Sequence, residues 1–147
     1  VNTIHAQHSD HSNGYHMHSK NEIGIANSPV YFINEKEFAY GLHFHYTRNI
    51  LESKFGIGIG YERIFDEHRH NFLGIIGSIR PIERVNINLS PGISFEDEKN
   101  SSINFAMHIE ASYHFEFNNL HVGPLLGISY DPEDYHISLG LHVGYNF

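Results

Sequence analysis

The sequence predicts an all-β fold, an eight-stranded antiparallel up-and-down β-barrel preceded by a flexible, histidine-rich N-terminal arm. Three observations lead to this prediction. Apolar residues alternate with small or polar ones from about residue 20 onward, turn-forming residues separate the alternating segments, and no segment has helical periodicity. The 147 residues suffice for one domain with its own core, which we place at residues 21–147, after an arm at residues 1–20.

Six segments alternate clearly and two do so weakly. In the clearest, every odd-numbered residue from Tyr135 to Phe147 is apolar, and every even-numbered residue is small or polar. The weak segments are residues 22–28 and 70–79, and the alternation does not fix which face of the second is apolar. Turn-rich runs such as "EDEKN" and "DPED" separate the segments. The clear segments are residues 38–47, 55–62, 85–95, 103–115, 120–130 and 135–147.

The polar face of these strands consists largely of small residues. Ten of the 13 glycines lie on it, whereas a strand face turned to bulk water is usually rich in Lys, Glu and Thr. Small residues suit the interior of a narrow eight-stranded barrel, where side chains just fill the space. We therefore expect the polar face to line the barrel interior. The ten are Gly24, Gly41, Gly56, Gly58, Gly60, Gly92, Gly123, Gly127, Gly140 and Gly144.

The apolar face is ordered as in a membrane barrel. Aromatic residues such as Phe55 and Tyr61 lie at strand ends and mostly aliphatic residues lie between them, which is typical of two aromatic girdles around an aliphatic belt. We therefore predict a transmembrane barrel. A soluble, lipocalin-like barrel with its apolar face inside is the alternative, because Pro91 and Pro124 lie mid-strand and each removes a ladder hydrogen bond that lipid cannot replace.

The last strand carries the resemblance to a known family. In "GLHVGYNF", Phe147 follows outward aromatic and aliphatic residues at alternate positions, which resembles the C-terminal signal of Gram-negative outer-membrane barrels. Residues 21–147 resemble the small eight-stranded outer-membrane proteins of the OmpX and OmpA-membrane-domain type. The resemblance implies a location in the bacterial outer membrane. It also implies periplasmic turns at residues 48–53, 81–84 and 116–119, and extracellular loops at residues 29–36, 65–69, 96–101 and 131–134.

Composition excludes several kinds of chemistry. The chain has no cysteine, which excludes disulfides, thiolate ligands and cysteine nucleophiles. A formal net charge of −8 with only nine Lys and Arg argues against nucleic acid as a partner. Residues 1–20 lack the pattern of a signal peptide, so we expect any export signal to have been removed. We predict no organic cofactor, and a metal site must use His, carboxylate or Met.

The arm contains "HAQHSDHSNGYHMHS" at residues 5–19, with five histidines in fifteen residues. Their spacing lets several imidazoles bind one Zn, Cu or Ni ion, and Met17 adds a soft ligand suited to Cu(I). The intervening Ser, Asn, Asp and Gly keep the arm flexible, so ordering entropy limits the affinity. We predict that this segment is a periplasmic arm or a plug of the barrel. Its candidate metal ligands are His5, His8, His11, His16 and His18.

The alternation turns seven histidines and two glutamates into the predicted lumen. A single inward histidine is more often a hydrogen-bonding filler than a ligand. Together, however, these groups form a candidate metal site or proton-responsive network. The inward residues are His43, His45, His108, His114, His121, His136, His142, Glu62 and Glu110.

Barrel closure selects five of them as candidate metal ligands. The first strand lies between the second and the last, and its small inward residues Gly24 and Ala26 leave room for histidines on both neighbouring strands to meet. Two further candidates face them from the sixth strand, where the carboxylate either binds the metal or orients an imidazole. The five are His43, His45, His108, Glu110 and His142.

These features favour an outer-membrane barrel that binds Zn, Cu or Ni through its arm and lumen and assists metal uptake or sensing. A structural barrel, or an accessory subunit of a larger membrane transporter or of a homo-oligomer, is the second interpretation. A lipid A-modifying hydrolase is a lower alternative, because His136 and Ser138 in "YHISLG" resemble the His-x-Ser pair of the outer-membrane deacylase. Since parity turns both into the lumen and no acid follows Ser138, we predict that the protein is not an enzyme and assign no catalytic residue.

Overall fold

One antiparallel sheet closes on itself to form the barrel. The computed structural model describes residues 20–50, 53–97, 102–132 and 134–147. The strands are β1 (Asn21–Phe32), β2 (Glu37–Asn49), β3 (Phe55–Phe65), β4 (His70–Ile82), β5 (Val85–Glu96), β6 (Asn104–Tyr113), β7 (Phe115–Phe117), β8 (Leu120–Tyr130) and β9 (Tyr135–Asn146). Neighbouring strands along the chain pair with each other, except that β6 and β7 both pair with β8, and the first strand pairs with the last, so the sheet closes.

The barrel is eight-stranded because β6 and β7 are two parts of one strand. Both pair with β8 in the same register, as the partners Ser112↔Leu125 and Phe115↔Val122 show. The predicted eight-stranded antiparallel barrel is therefore confirmed, whereas the predicted flexible arm at residues 1–20 lies almost entirely outside the described residues. Within the part of the chain that the structure describes, no helix is long and apolar enough to cross a membrane.

The apolar face points outward, as the transmembrane prediction requires. Ile59, Ile75 and Leu139 are 60, 60 and 63 % exposed, although all three lie in the middle of strands. The small and polar residues are turned into the lumen. The soluble, lipocalin-like alternative is wrong, because a barrel in water buries its aliphatic residues inside.

The structure settles the two weak strands. In β4 the even-numbered residues point inward, so Phe72 and Ile76 are buried in the lumen. β1 runs to Phe32, so the prediction that a loop begins at residue 29 is wrong. Pro29 is an outward-facing strand residue, and Val30 and Phe32 beyond it form a small buried apolar cluster with Ile64.

The mid-strand prolines are accommodated at interruptions of the hydrogen-bond ladder. Pro29, Pro91 and Pro124 each pair with one neighbouring strand and lie beside a gap in the ladder to the other. Each proline lacks an N–H group, so its strand can offer no donor there. For Pro124, the gap lies in the ladder to β6 and β7, and it separates these two strands at His114.

The two ends of the barrel differ. At the end where β1 begins and β9 finishes, the turns after β4 and β7 contain only two residues each. We call it the periplasmic end, following the orientation that the resemblance implies, and the opposite end the extracellular end. The four connections at the extracellular end follow β1, β3, β5 and β8.

Candidate metal centre in the barrel lumen

Among the described strands and the break between β6 and β7, ten residues bring a buried imidazole or carboxylate into the lumen. All seven histidines that the alternation turned inward are 8 % exposed or less, and so are Glu62 and Glu110. Glu22 on β1 joins them at 1 % exposure, although sequence reasoning passed over it. The signal was present, because Glu22 shares the parity of Gly24 and Ala26, which were recognised as inward.

Five of these residues gather in the periplasmic half of the lumen. They form two overlapping groups that share His142, and within each group the candidate ligand atoms all lie within 4.8 Å of one another. The first group consists of three histidines, and the second combines two histidines with a glutamate. We call the whole set the lower cluster: Glu22, His45, His114, His121 and His142.

Glycines create the space in which these rings lie. A Cβ atom at Gly24 would fall on the rings of His45 and His142, and one at Gly144 would fall on the ring of His121. The cluster therefore requires small residues at these two positions, because a side chain there would clash with the imidazole rings.

Ring packing orients the imidazoles of the lower cluster. The rings of His45 and His142 are nearly parallel, 10° apart, with centroids separated by 5.1 Å. His114 stacks on His121 at 4.2 Å and on His142 at 5.1 Å. The stacked rings bring the ligand nitrogens of His114, His121 and His142 within 4.8 Å of one another.

Glu22 provides the negative charge of the lower cluster. Its Oε1 lies 3.1 Å from His45 Nε2 and 3.6 Å from His121 Nε2. Its Oε2 accepts a hydrogen bond from Arg80 Nη2 at 3.1 Å. One carboxylate oxygen is thus held by Arg80 while the other faces the imidazoles.

His142 is the least satisfied group in the cluster. It is 2 % exposed, and neither of its ring nitrogens has a hydrogen-bond partner among the described residues. By contrast, His121 Nδ1 accepts a hydrogen bond from Asn146 Nδ2 at 3.2 Å, and His114 Nε2 lies 2.8 Å from Ser112 Oγ. Buried polar atoms without a partner are rare in folded proteins, and each calls for an explanation.

A second group lies nearer the extracellular end. Glu62 Oε2 is 3.2 Å from His108 Nδ1, and the candidate ligand atoms of Glu62, His108 and His136 lie within 4.8 Å of one another. Phe72 stacks on the His108 ring at 3.6 Å. We call Glu62, His108 and His136 the upper cluster.

The five lumenal residues selected from the sequence do not form one site. His45 and His142 meet in the lower cluster, and His108 belongs to the upper cluster. His43 pairs with Glu110 at 2.8 Å, and neither belongs to a group of three ligands in the described part of the chain. The arm candidates His5, His8, His11, His16 and His18 lie outside the described residues.

The residue pair of the hydrolase alternative also lies in the lumen. His136 and Ser138 are 6 and 5 % exposed, on the side of β9 that faces away from lipid. His136 contributes to the upper cluster, so its surroundings are those of a candidate ligand.

Comparisons with known proteins agree on the fold. No protein-family model matches the sequence, and no curated protein matches it significantly. Among solved structures, Neisserial surface protein A is similar with a TM-score of 0.59 and 10 % identity, over 86 % of this chain and 96 % of that one. The N-terminal β-barrel domain of Pseudomonas aeruginosa OprF has a TM-score of 0.57 and 17 % identity, over 88 and 99 %. Ail, the attachment invasion locus protein of Yersinia pestis, has a TM-score of 0.55 and 16 % identity, over 89 and 99 %.

The fold and the apolar exterior define the class of protein. The chain has the fold of the small, eight-stranded bacterial outer-membrane barrels, and its outward aliphatic face is typical of a transmembrane barrel. An outward apolar face of this kind is suited to contact with lipid.

Proposed function

We propose that this barrel binds a divalent transition-metal ion, Zn²⁺, Cu²⁺ or Ni²⁺, in the lower cluster. One observation carries the proposal: His142 is buried, both its ring nitrogens lack a hydrogen-bond partner among the described residues, and it belongs to two groups of three candidate ligands. A bound ion would satisfy a nitrogen whose burial otherwise costs free energy, about 1–3 kcal/mol for an unsatisfied group.

The donor set suits these metals. Imidazole is a good ligand for Zn, Cu and Ni, and a carboxylate is an acceptable fourth ligand. Zinc binds nitrogen at about 2.0–2.1 Å, so small side-chain rotations would close a group whose ligand atoms lie within 4.8 Å. Glu22 Oε1 would offset part of the charge of the ion while Arg80 keeps hold of Oε2.

The histidine-rich arm supplies a second, weaker set of ligands in this proposal. Its five histidines at residues 5–18 are separated by small polar residues, so binding an ion requires ordering of the chain. The arm would collect ions at low affinity and the lumen would hold one at higher affinity. Metal uptake or sensing is the role that such an arrangement serves.

Calorimetric titration of the detergent-solubilised full chain tests the proposal. After removal of bound metal, Zn²⁺, Cu²⁺ and Ni²⁺ are titrated at pH 7.5 into the parent and into a full-length H5N/H8N/H11N/H16N/H18N variant. We expect the arm variant to lose weak binding and to keep tight binding. In that background, His142→Ala should weaken binding of the ion held by the lower cluster at least 100-fold.

His43→Gln is the matched control. His43 is a buried lumenal histidine like His142, but it belongs to neither cluster, so its replacement should leave the affinity unchanged. Circular dichroism and heat-modifiable gel mobility verify folding, and His121→Gln replaces His142→Ala if the latter does not fold. Unchanged stoichiometry and affinity in folded His142→Ala, or no tight binding by the arm variant, would overturn the proposal and favour a structural or accessory barrel.

A further inference from the structure

The upper cluster has the features of a separate ligand site. Glu62, His108 and His136 are 4, 4 and 6 % exposed, and they come from β3, β6 and β9, three different sectors of the barrel wall. The three side chains converge from separate strands, and they are not simply neighbours on the inward face of one strand.

An unsatisfied nitrogen points to a ligand at this place. His136 Nε2 is buried and has no hydrogen-bond partner among the described residues. His108 offers Nδ1 to Glu62, and its ring is fixed by stacking on Phe72 at 3.6 Å. Two of the three side chains are therefore held in place, and the third presents a nitrogen that nothing in the described chain engages.

The upper cluster borders a small cavity toward the extracellular end. The cavity measures about 20 Å³, and its lining includes all three residues of the cluster together with His70, Asp131 and Asp134. This volume admits one water molecule or one ion. Carboxylates at the rim of a low-dielectric lumen raise the local concentration of cations.

The upper and lower clusters are too far apart to share an ion. His136 and His142 both lie on β9, six residues apart, which corresponds to about 20 Å along a strand that rises about 3.3 Å per residue. The pair His43–Glu110 lies in the lumen as well and belongs to neither cluster. The two metal ions of a binuclear site lie about 3.5–4 Å apart. The upper and lower clusters would therefore form two separate sites.

We infer that Glu62, His108 and His136 form a second, independent site for a divalent transition-metal ion, next to the cavity at the extracellular end. Two imidazole nitrogens and one carboxylate oxygen would bind the ion, and a water molecule in the cavity would complete its coordination. This inference goes beyond the proposed function and does not depend on the lower cluster, because the two clusters share no residue.

Copper stoichiometry and electron paramagnetic resonance test the inference on the full-length H5N/H8N/H11N/H16N/H18N chain in detergent. We expect two tightly bound Cu²⁺ ions with nitrogen hyperfine couplings, and a dipolar coupling between them because both clusters lie in one lumen. His136→Asn should remove one equivalent and abolish the dipolar signal. Ser138→Ala, two residues along the same face of β9, is the matched control and should keep both ions.

The outcomes separate this inference from the proposed function. If one ion binds, is retained in His136→Asn and is lost in His142→Ala, the inference is overturned and the proposed function stands. If the ion that binds is lost in His136→Asn and retained in His142→Ala, the inference stands and the proposed function is overturned. Absence of any tightly bound Cu²⁺, Zn²⁺ or Ni²⁺ ion overturns both. Glu62→Gln repeats the test if His136→Asn does not fold, and it should also remove one equivalent.

Discussion

His43 Nδ1 on β2 lies 2.8 Å from Glu110 Oε1 on β6, so this hydrogen bond joins opposite walls of the barrel. The two strands are four positions apart in a closed sheet of eight. Both side chains are buried, at 4 and 8 % exposure. The pair acts as a strut across the lumen, and neither residue belongs to a group of three candidate ligands among the described residues.

Removing one end of this strut should destabilise the barrel. In His43→Leu, Glu110 would remain buried without its partner, which costs about 3–5 kcal/mol. Glu110→Gln keeps a neutral hydrogen bond and should cost less. The free energy of unfolding, measured by urea titration in lipid vesicles with tyrosine fluorescence, gives both values.

The double variant His43→Leu/Glu110→Leu is the control for this prediction. It removes both polar groups, so it should recover part of the loss. If His43→Leu were no less stable than the double variant, burying Glu110 without its partner would cost nothing, which would contradict the prediction.

A glycine required by close approach gives the second prediction. A Cβ atom at Gly123 would fall on the carbonyl oxygen of Tyr113, where the ladder is interrupted opposite Pro124. Gly123→Ala should therefore destabilise the barrel by several kcal/mol, because backbone must move. Gly77→Ala is the control, since its nearest neighbour would be Leu89 O at 3.8 Å, an ordinary contact. Equal unfolding free energies for the two variants would contradict the prediction.

The fold was readable from the sequence wherever the two strand faces differ in polarity. β9 shows this best, since its parity, its burial and its pairing agree throughout. β4 could not be read, because Phe72 and Ile76 point inward while Leu73 and Ile75 point outward. When a strand is apolar on both faces, its sequence does not indicate which face points inward.

The site could be predicted only in part, because alternation indicates which side chains point into the lumen but not which of them contact one another. Gly24 correctly indicated a place where His45 and His142 could meet, and their rings are 5.1 Å apart. His108, however, turns to Glu62 and not toward the rings of the second strand. Which residues meet across a barrel depends on the stagger of the strands, and the stagger cannot be deduced from an alternation pattern.

Acid should weaken the connection between β3 and β4. Asp66 Oδ1 accepts a hydrogen bond from the His70 backbone N–H at 3.0 Å, and its Oδ2 contacts the His70 ring. Burial opposes ionisation of Asp66, but these hydrogen bonds outweigh it and hold the pKa of its carboxyl below the ordinary value of 3.8. Because the folded pKa is depressed, the stabilisation is present above pH 3.8 and is lost as the pH falls through the lower folded value.

Comparison with Asp66→Asn measures this contribution. At pH 7 the parent should be more stable than the variant by about 1 kcal/mol, a modest value because the loop is partly exposed. The difference should shrink as the pH is lowered to about 3, toward the region where the folded carboxyl becomes protonated. A difference that stayed constant over this range would show that ionised Asp66 does not stabilise the loop.

Lysine substitutions at two depths test the position of the lipid. Ile59 in the middle of β3 and Ile82 at the end of β4 are equally exposed, at 60 and 62 %. In a bilayer, Ile59→Lys should cost about 2–4 kcal/mol and Ile82→Lys about 0–1 kcal/mol, because the cost of a charge depends on its depth in the hydrocarbon. Urea unfolding in lipid vesicles measures both costs. Equal costs would mean that the aliphatic belt around Ile59 does not face the bilayer centre, since exposure alone predicts no difference between the two positions.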